Sequence, residues 1–409
     1  RFVLESKYME SLVFLLRKMY WIRLNTVFCC LCLTNALLPW IMPETQKKKK
    51  KMQKKTKKWI TILVAILLLL GGYVFYVFQS YYRLQDNIPL EIMRNGENSS
   101  FEESYVVEPG KAYMIMTYNI GFGAYRPEFS FFMDGGKSSW AKDKETVMAG
   151  IAGMGQIIND VNPDFALLQE VDLDGTRSYH VDELSLLNQF MKGYYYTYAQ
   201  DYDSPFLFFP PWQPHGANKS CIVTYTREEI TDSVRRSLPI SEGVDKLVDL
   251  DRCYSITRVP VSNDKRLCIY NVHLSAYGGS EETRTAQLTM LYQDMEADYK
   301  KGNYVICGGD FNHNMKGDSG DNTPLWAANF PVQTLPEGFR LALDSALPEK
   351  IAHDSCRDAK TPYEEGCYTV TLDGFLISEN VMMNYYQNMD WGYAFSDHDP
   401  VIMQFILKP

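Results

Sequence analysis

Residues 304–312 read Tyr-Val-Ile-Cys-Gly-Gly-Asp-Phe-Asn. Four apolar residues followed by two glycines and then Asp310 and Asn312 describe a buried strand that stops at a polar, ionisable end. One such segment reads as easily as a turn, because Asp and Asn are ordinary turn residues. Four more segments share the design: Thr117-Tyr118-Asn119-Ile120-Gly121, Leu168-Gln169-Glu170-Val171-Asp172, Tyr270-Asn271-Val272-His273-Leu274 and Ser396-Asp397-His398-Asp399-Pro400-Val401. Together they favour one shared site over five separate turns, since α/β enzymes carry their chemistry at strand ends.

Working outward, short apolar runs predict strands over 112–118, 165–169, 220–225, 254–260, 267–273, 304–308, 369–377 and 401–406. Helical periodicity covers 143–161, 182–192 and 281–300. In the first of these, Val147, Ile151, Met154, Ile158 and Val161 recur at spacings of three and four and mark a buried face. Mixed strands and helices point to an α/β sandwich.

The residue types suggest a hard cation and a phosphate. Glu170, Asn119 and Asp397 offer oxygen donors with few carboxylates, the style of Mg2+, with Mn2+ as a substitute. There is no HExxH pattern, and none of the six cysteines from Cys221 onward forms a CxxC pair of the kind zinc favours. His273 and His398 fall within the strand-end segments, and imidazole suits proton transfer near neutral pH. His180, His215, His313 and His353 read as surface or turn residues. Arg177 suits phosphate oxygens in a bidentate fork, and a surface ion pair is an equal alternative. Arg235-Arg236 and Asp251-Arg252 read as surface or sheet-edge pairs.

These segments, in this order, resemble the endonuclease/exonuclease/phosphatase superfamily over about residues 112–407. The most specific pair is Gly309-Asp310-Phe311-Asn312 with Ser396-Asp397-His398-x-Pro-Val. The resemblance implies a four-layer α/β sandwich of the DNase I type, two mixed β-sheets flanked by helices, that hydrolyses phosphoesters with Mg2+. It implies that Glu170 is the principal metal ligand, with Asn119 and Asp397 beside it. It implies that His398 takes a proton from the attacking water, that Asp373 orients His398, and that Asp310 aligns the water. Asn312 and His273 would donate to phosphoryl oxygens. His273 leans the chain toward the sphingomyelinase and DNase branch and away from abasic-site endonucleases, which carry Tyr there.

The 409 residues are 46% apolar and 22% charged, a globular balance. Charge is uneven: residues 1–79 hold 14 Lys and Arg against 3 Asp and Glu, and the rest hold 27 against 47. An acidic body disfavours broad polyanion binding, so a lipid headgroup or small phosphoester is the favoured substrate and nucleic acid the alternative. No protein partner is inferred. Residues 59–79 are uncharged and follow nine lysines, which predicts a single-pass membrane helix with its N-terminus cytoplasmic and the catalytic domain extracellular. A cleaved signal peptide is the rival reading. Residues 1–51 are read as a doubtful leader with the natural start at Met52, and a second membrane helix over 24–42 is the alternative. Residues 52–79 then form the flank and anchor, 80–110 a polar stalk and 111–409 the catalytic domain. Cys221, Cys268 and Cys307 are expected as core thiols, and a disulfide between Cys356 and Cys367 is open. The run Tyr194 to Gly216 holds nine aromatic residues. It reads as a strand with a packed loop, or as a loop that touches substrate or membrane.

Overall fold

The computed structural model describes residues 47–80, 82–96, 106–240, 251–275, 280–317 and 327–409. The readings of residues 1–46 lie outside them. The chain divides into two units, 1–74 and 75–409. The first contains most of helix α1 (Lys47–Ser80), within which Thr56–Ser80 is apolar enough to cross a membrane, with a mean hydropathy of 2.5.

The second unit follows the chain order β1 (Ile88–Pro89), β2 (Met93–Arg94), β3 (Ala112–Asn119), α2 (Lys144–Val161), β4 (Phe165–Gly175), α3 (Glu183–Leu187), β5 (Tyr195–Asp203), β6 (Asn218–Thr226), β7 (Asp232–Ser237), β8 (Cys253–Pro260), β9 (Arg266–His273), α4 (Glu281–Tyr299) and β10 (Tyr304–Asp310). It ends with β11 (Phe339–Leu341), β12 (Cys356–Arg357), β13 (Thr369–Val370), β14 (Asp373–Ser378), β15 (Val381–Asn388) and β16 (Val401–Leu407). One seven-stranded sheet runs β1-β7-β8-β9-β10-β14-β11 and the other β15-β16-β3-β4-β6-β5-β2. Each is mixed: β9 and β10 are parallel in the first, β3 and β4 in the second, and the remaining pairs are antiparallel. The expected two-sheet α/β sandwich is therefore the observed fold.

Alternation along the strands decides what each face covers. In β3 and β4, Tyr113, Ile115, Phe165 and Leu167 join the core shared with β9, β10 and β14, whereas Met116, Tyr118, Ala166 and Leu168 join the core under α2. Helix α2 contributes Val147, Ile151, Met154 and Ile158 to that core. Asp143 caps it, accepting from the Thr146 backbone N–H at 2.7 Å, and Asn162 ends it in a left-handed conformation. Helix α4 covers the other sheet with Leu288, Leu291 and Met295.

Several expectations change. The strand predicted over 369–377 is broken in two, because the carbonyls of Thr371 and Leu372 accept from the backbone of Met315 and Phe311 instead of a neighbouring strand. The helix predicted over 182–192 shortens to α3. Residues 88–94, read as stalk, add short strands to both sheets: Ile88 pairs with Arg235, and Met93 with Tyr196. Cys356 and Cys367 are free thiols, so the suggested disulfide is absent. Cys221, Cys268 and Cys307 are buried as expected.

Candidate active site

The two parallel pairs bring four strand ends together. Asn119 closes β3, Glu170 lies where β4 passes the end of β3, and His273 and Asp310 close β9 and β10 as register partners. Gly309, with φ +144°, permits that closure: a Cβ there would lie 2.0 Å from the Val272 carbonyl oxygen. Glu170 sits in a bulge of β4 against β6 and adopts φ 56°, a left-handed backbone rare for glutamate. The bulge turns its side chain out of the buried face, and that side chain is 22% exposed amid almost fully buried neighbours.

Asn119 ties the cluster. Its Nδ2 donates to Asp310 Oδ2 at 3.0 Å and to Glu170 Oε1 at 3.3 Å, and its Oδ1 accepts from the Gly121 N–H. Asp310 Oδ1 accepts from the Asn312 backbone N–H at 2.8 Å. The Asn312 side chain donates to the Leu274 carbonyl, which holds that loop closed beside His273. His398 Nδ1 lies 2.7 Å from Asp373 Oδ2, and its Nε2 faces Asp310 Oδ2 at 3.9 Å. Burial opposes the imidazolium, but the Asp373 carboxylate and the Cys356 thiol hold the His398 pKa well above the usual value. Burial and then Arg252 push His273 the other way, down to about 4. With Asp397, whose Oδ1 lies beside Gly121, eight of the nine expected site residues converge.

Arg177 is the exception. It is buried, and its Nε and Nη2 both donate to Asp172, at 3.1 and 2.8 Å. Its guanidinium lies 3.9 Å from the centre of the Phe122 ring. With Nε and Nη2 engaged by a buried carboxylate, it forms a buried pair rather than a surface one, and it braces the segment just beyond Glu170. His215 and His313 are buried rather than superficial, and His215 Nδ1 meets Ser139 Oγ at 3.0 Å. Arg235 and Arg252 are also buried, not surface residues.

Three residues escaped the sequence reading. Asp201, near the end of β5, places Oδ2 3.5 Å from His273 Nδ1, close but without a hydrogen bond between them. Arg252 is buried near both, and its Nε and Nη1 have no hydrogen-bond partner. Ser355 donates to Asp373 Oδ2 at 2.6 Å while accepting from the Leu372 and Asp373 N–H groups.

The donor set fits a divalent cation. Asp397 is half-buried, and desolvation together with the nearby Glu170 carboxylate pushes its pKa up to about 6, although His398 opposes the rise. Two oxygen anions crowded in this way call for a positive partner. Asp373 and His398 also lie close enough to Asp310 to share an ion, although the hydrogen bond between Asp373 Oδ2 and His398 Nδ1 already engages one donor atom of each. Asp399 is buried and accepts from Trp391 N, Tyr393 N and His353 Nε2, so it shapes the 389–399 loop.

Residues 116–398 match the Endonuclease/Exonuclease/phosphatase family. No curated protein matches the chain. Among solved structures, an endonuclease/exonuclease/phosphatase from Beutenbergia cavernae DSM 12333 is 15% identical, with 73% of this chain and 72% of that one covered and a TM-score of 0.52. A Bacteroides vulgatus endonuclease/exonuclease/phosphatase is 16% identical over 73% of this chain and all of its own, with a TM-score of 0.47. D. rerio TDP2, complexed with single strand DNA product, is 15% identical over 72% and 99%, with a TM-score of 0.48. Identities this low speak for the fold; the family match carries the assignment. The chain belongs to the endonuclease/exonuclease/phosphatase family and is a hydrolase of phosphoester bonds.

Proposed function

We propose that this protein is a membrane-anchored, Mg2+-dependent phosphoesterase whose catalytic unit works outside the cell on a lipid headgroup or small phosphoester. The observation that carries the chemistry is the convergence of the Asp373–His398 pair, Asp310 and the Asn119–Glu170 pair on one set of strand ends.

Glu170, Asp397 and Asn119 would hold the ion, with Mn2+ as a substitute for Mg2+. Bound there, it supplies positive charge against that gathering on the phosphoryl oxygens. The residues do the rest. Water attacks phosphorus in line, its proton passes to His398 Nε2, and the bond to the leaving oxygen breaks. Asp373 fixes the tautomer by holding Nδ1, so Nε2 is left to accept. Asp310 aligns the water, and His273 and Asn312 stabilise the phosphoryl oxygens. The apolar helix with its lysine flank supports the anchoring and orientation. The acidic body supports a substrate other than an extended polyanion.

The test uses the full chain with bis(p-nitrophenyl) phosphate, phospholipid vesicles and plasmid DNA in parallel. Chelator abolishes hydrolysis and Mg2+ restores it; rescue by Zn2+ alone contradicts the oxygen-donor assignment. His398→Ala lowers kcat by about 10²–10⁴. Unchanged activity removes the assigned base, and plasmid cleavage without lipid product transfers the protein to the nucleases.

A further inference from the structure

Loop 204–216, Ser-Pro-Phe-Leu-Phe-Phe-Pro-Pro-Trp-Gln-Pro-His-Gly, joins β5 to β6. Strand β6 runs antiparallel to both β4 and β5, and β3 is parallel to β4. The loop therefore leaves the sheet on the edge where Asn119 and Glu170 stand.

Its base is fixed. Leu207 and Gly216 exchange two backbone hydrogen bonds, Trp140 Nε1 donates to the Pro214 carbonyl at 2.7 Å, and Gln213 Oε1 accepts from Ser139 N at 2.8 Å. Its tip is not covered: Phe208 is 61% exposed, Phe209 63% and Trp212 69%. Met133, 46% exposed, lies in the neighbouring turn whose Phe132 ring is 5.9 Å from Phe209. In a strongly acidic body these 13 residues carry no Asp, Glu, Lys or Arg, and burial keeps His215 neutral, with a pKa of about 3. Large apolar side chains held outward by a braced base cost solvation unless another surface covers them.

We propose that this tip docks the catalytic unit on a lipid bilayer, at the rim of its own site. The patch projects as a narrow tip instead of offering a flat or grooved face, and Trp and Phe beside backbone polar groups suit the membrane–water boundary. The apolar helix of the same chain keeps a bilayer permanently within reach, and in that respect the inference rests on the anchored reading above. It narrows the substrate to a phosphoester displayed at a membrane surface.

The full chain is reconstituted into phosphatidylcholine vesicles with or without nitroxide-labelled lipid. Emission differences between wild type, Trp212→Phe and Trp59→Phe isolate the two tryptophans. Docking predicts Trp212 emission that is blue-shifted, shielded from aqueous iodide and quenched about twofold or more by shallow nitroxides. Trp212 that is open to iodide and untouched by nitroxide overturns it. Shielding without lipid quenching also overturns it, assigning the tip to a protein surface. Trp59 reports the anchor separately: quenched Trp59 with unquenched Trp212 refutes only the docking, and the reverse refutes only the anchor. Neither quenched refutes both. The readout does not depend on catalysis, and bis(p-nitrophenyl) phosphate hydrolysis by Phe209→Ser at the wild-type rate is expected, since that soluble substrate needs no docking.

Discussion

Asp373 Oδ2 has two partners, the His398 ring and the Ser355 hydroxyl. Ser355 therefore acts through Asp373, as a positioning residue. Ser355→Ala should lower kcat about tenfold with KM unchanged, and it should add little on top of Asp373→Asn; a double-mutant cycle on kcat checks this. Ser355 was illegible in the sequence because its role is set by a partner 18 residues away, in a strand that the apolar run placed without its register. The same holds for Asp201, whose neighbour His273 lies in the other sheet. Glu228 belongs to this scale for another reason. Buried, then crowded by Asp164, it has a pKa raised from 4.5 to about 7, and its Oε2 has no partner. The folded state holds that proton more tightly than the unfolded chain does. The stabilisation is complete at pH below the unfolded value and disappears as pH rises through about 7. Glu228→Gln should keep the neutral form at every pH, so the wild-type-minus-variant difference in Tm should fall between pH 5 and 8.

At the scale of elements, apolar strands ending in ionisable residues were readable, because period-two alternation and a change of composition coincide there. Strands β7 and β15 were not. Asp232–Ser237 is polar except for Val234, and Val381–Asn388 mixes apolar and polar residues; register with neighbours makes them strands. The Arg177–Asp172 pair braces the element that carries Glu170. Arg177→Ala leaves a buried carboxylate unpaired and should cost about 3–5 kcal/mol of stability. Denaturant unfolding checks the loss, and KM for a soluble phosphoester should stay near wild type in the fraction that remains folded.

Over the whole molecule, the charge contrast between leader and body was plain from composition, but the boundary of the folded unit was not. Residues 82–96 look polar and stalk-like, yet β1 and β2 cover the edges of β7 and β5. A chain beginning at residue 106 should melt lower and scatter light more strongly on heating than one beginning at 82, because it bares both edges. One pairing has a consequence for the protein's biogenesis. Strand β16 lies between β15 and β3, with Val401 opposite Thr117, so the first long strand of the second sheet pairs with the last. His398 stands just ahead of β16 and Asn119 at the end of β3. A nascent chain emerging N-terminus first holds Asn119, Glu170 and Asp310 long before it holds the base. Closing a contact across so much chain is slow. A chain short of β16 should therefore be inert, and hydrolytic power should arrive in a single late step, when β16 seats beside β3.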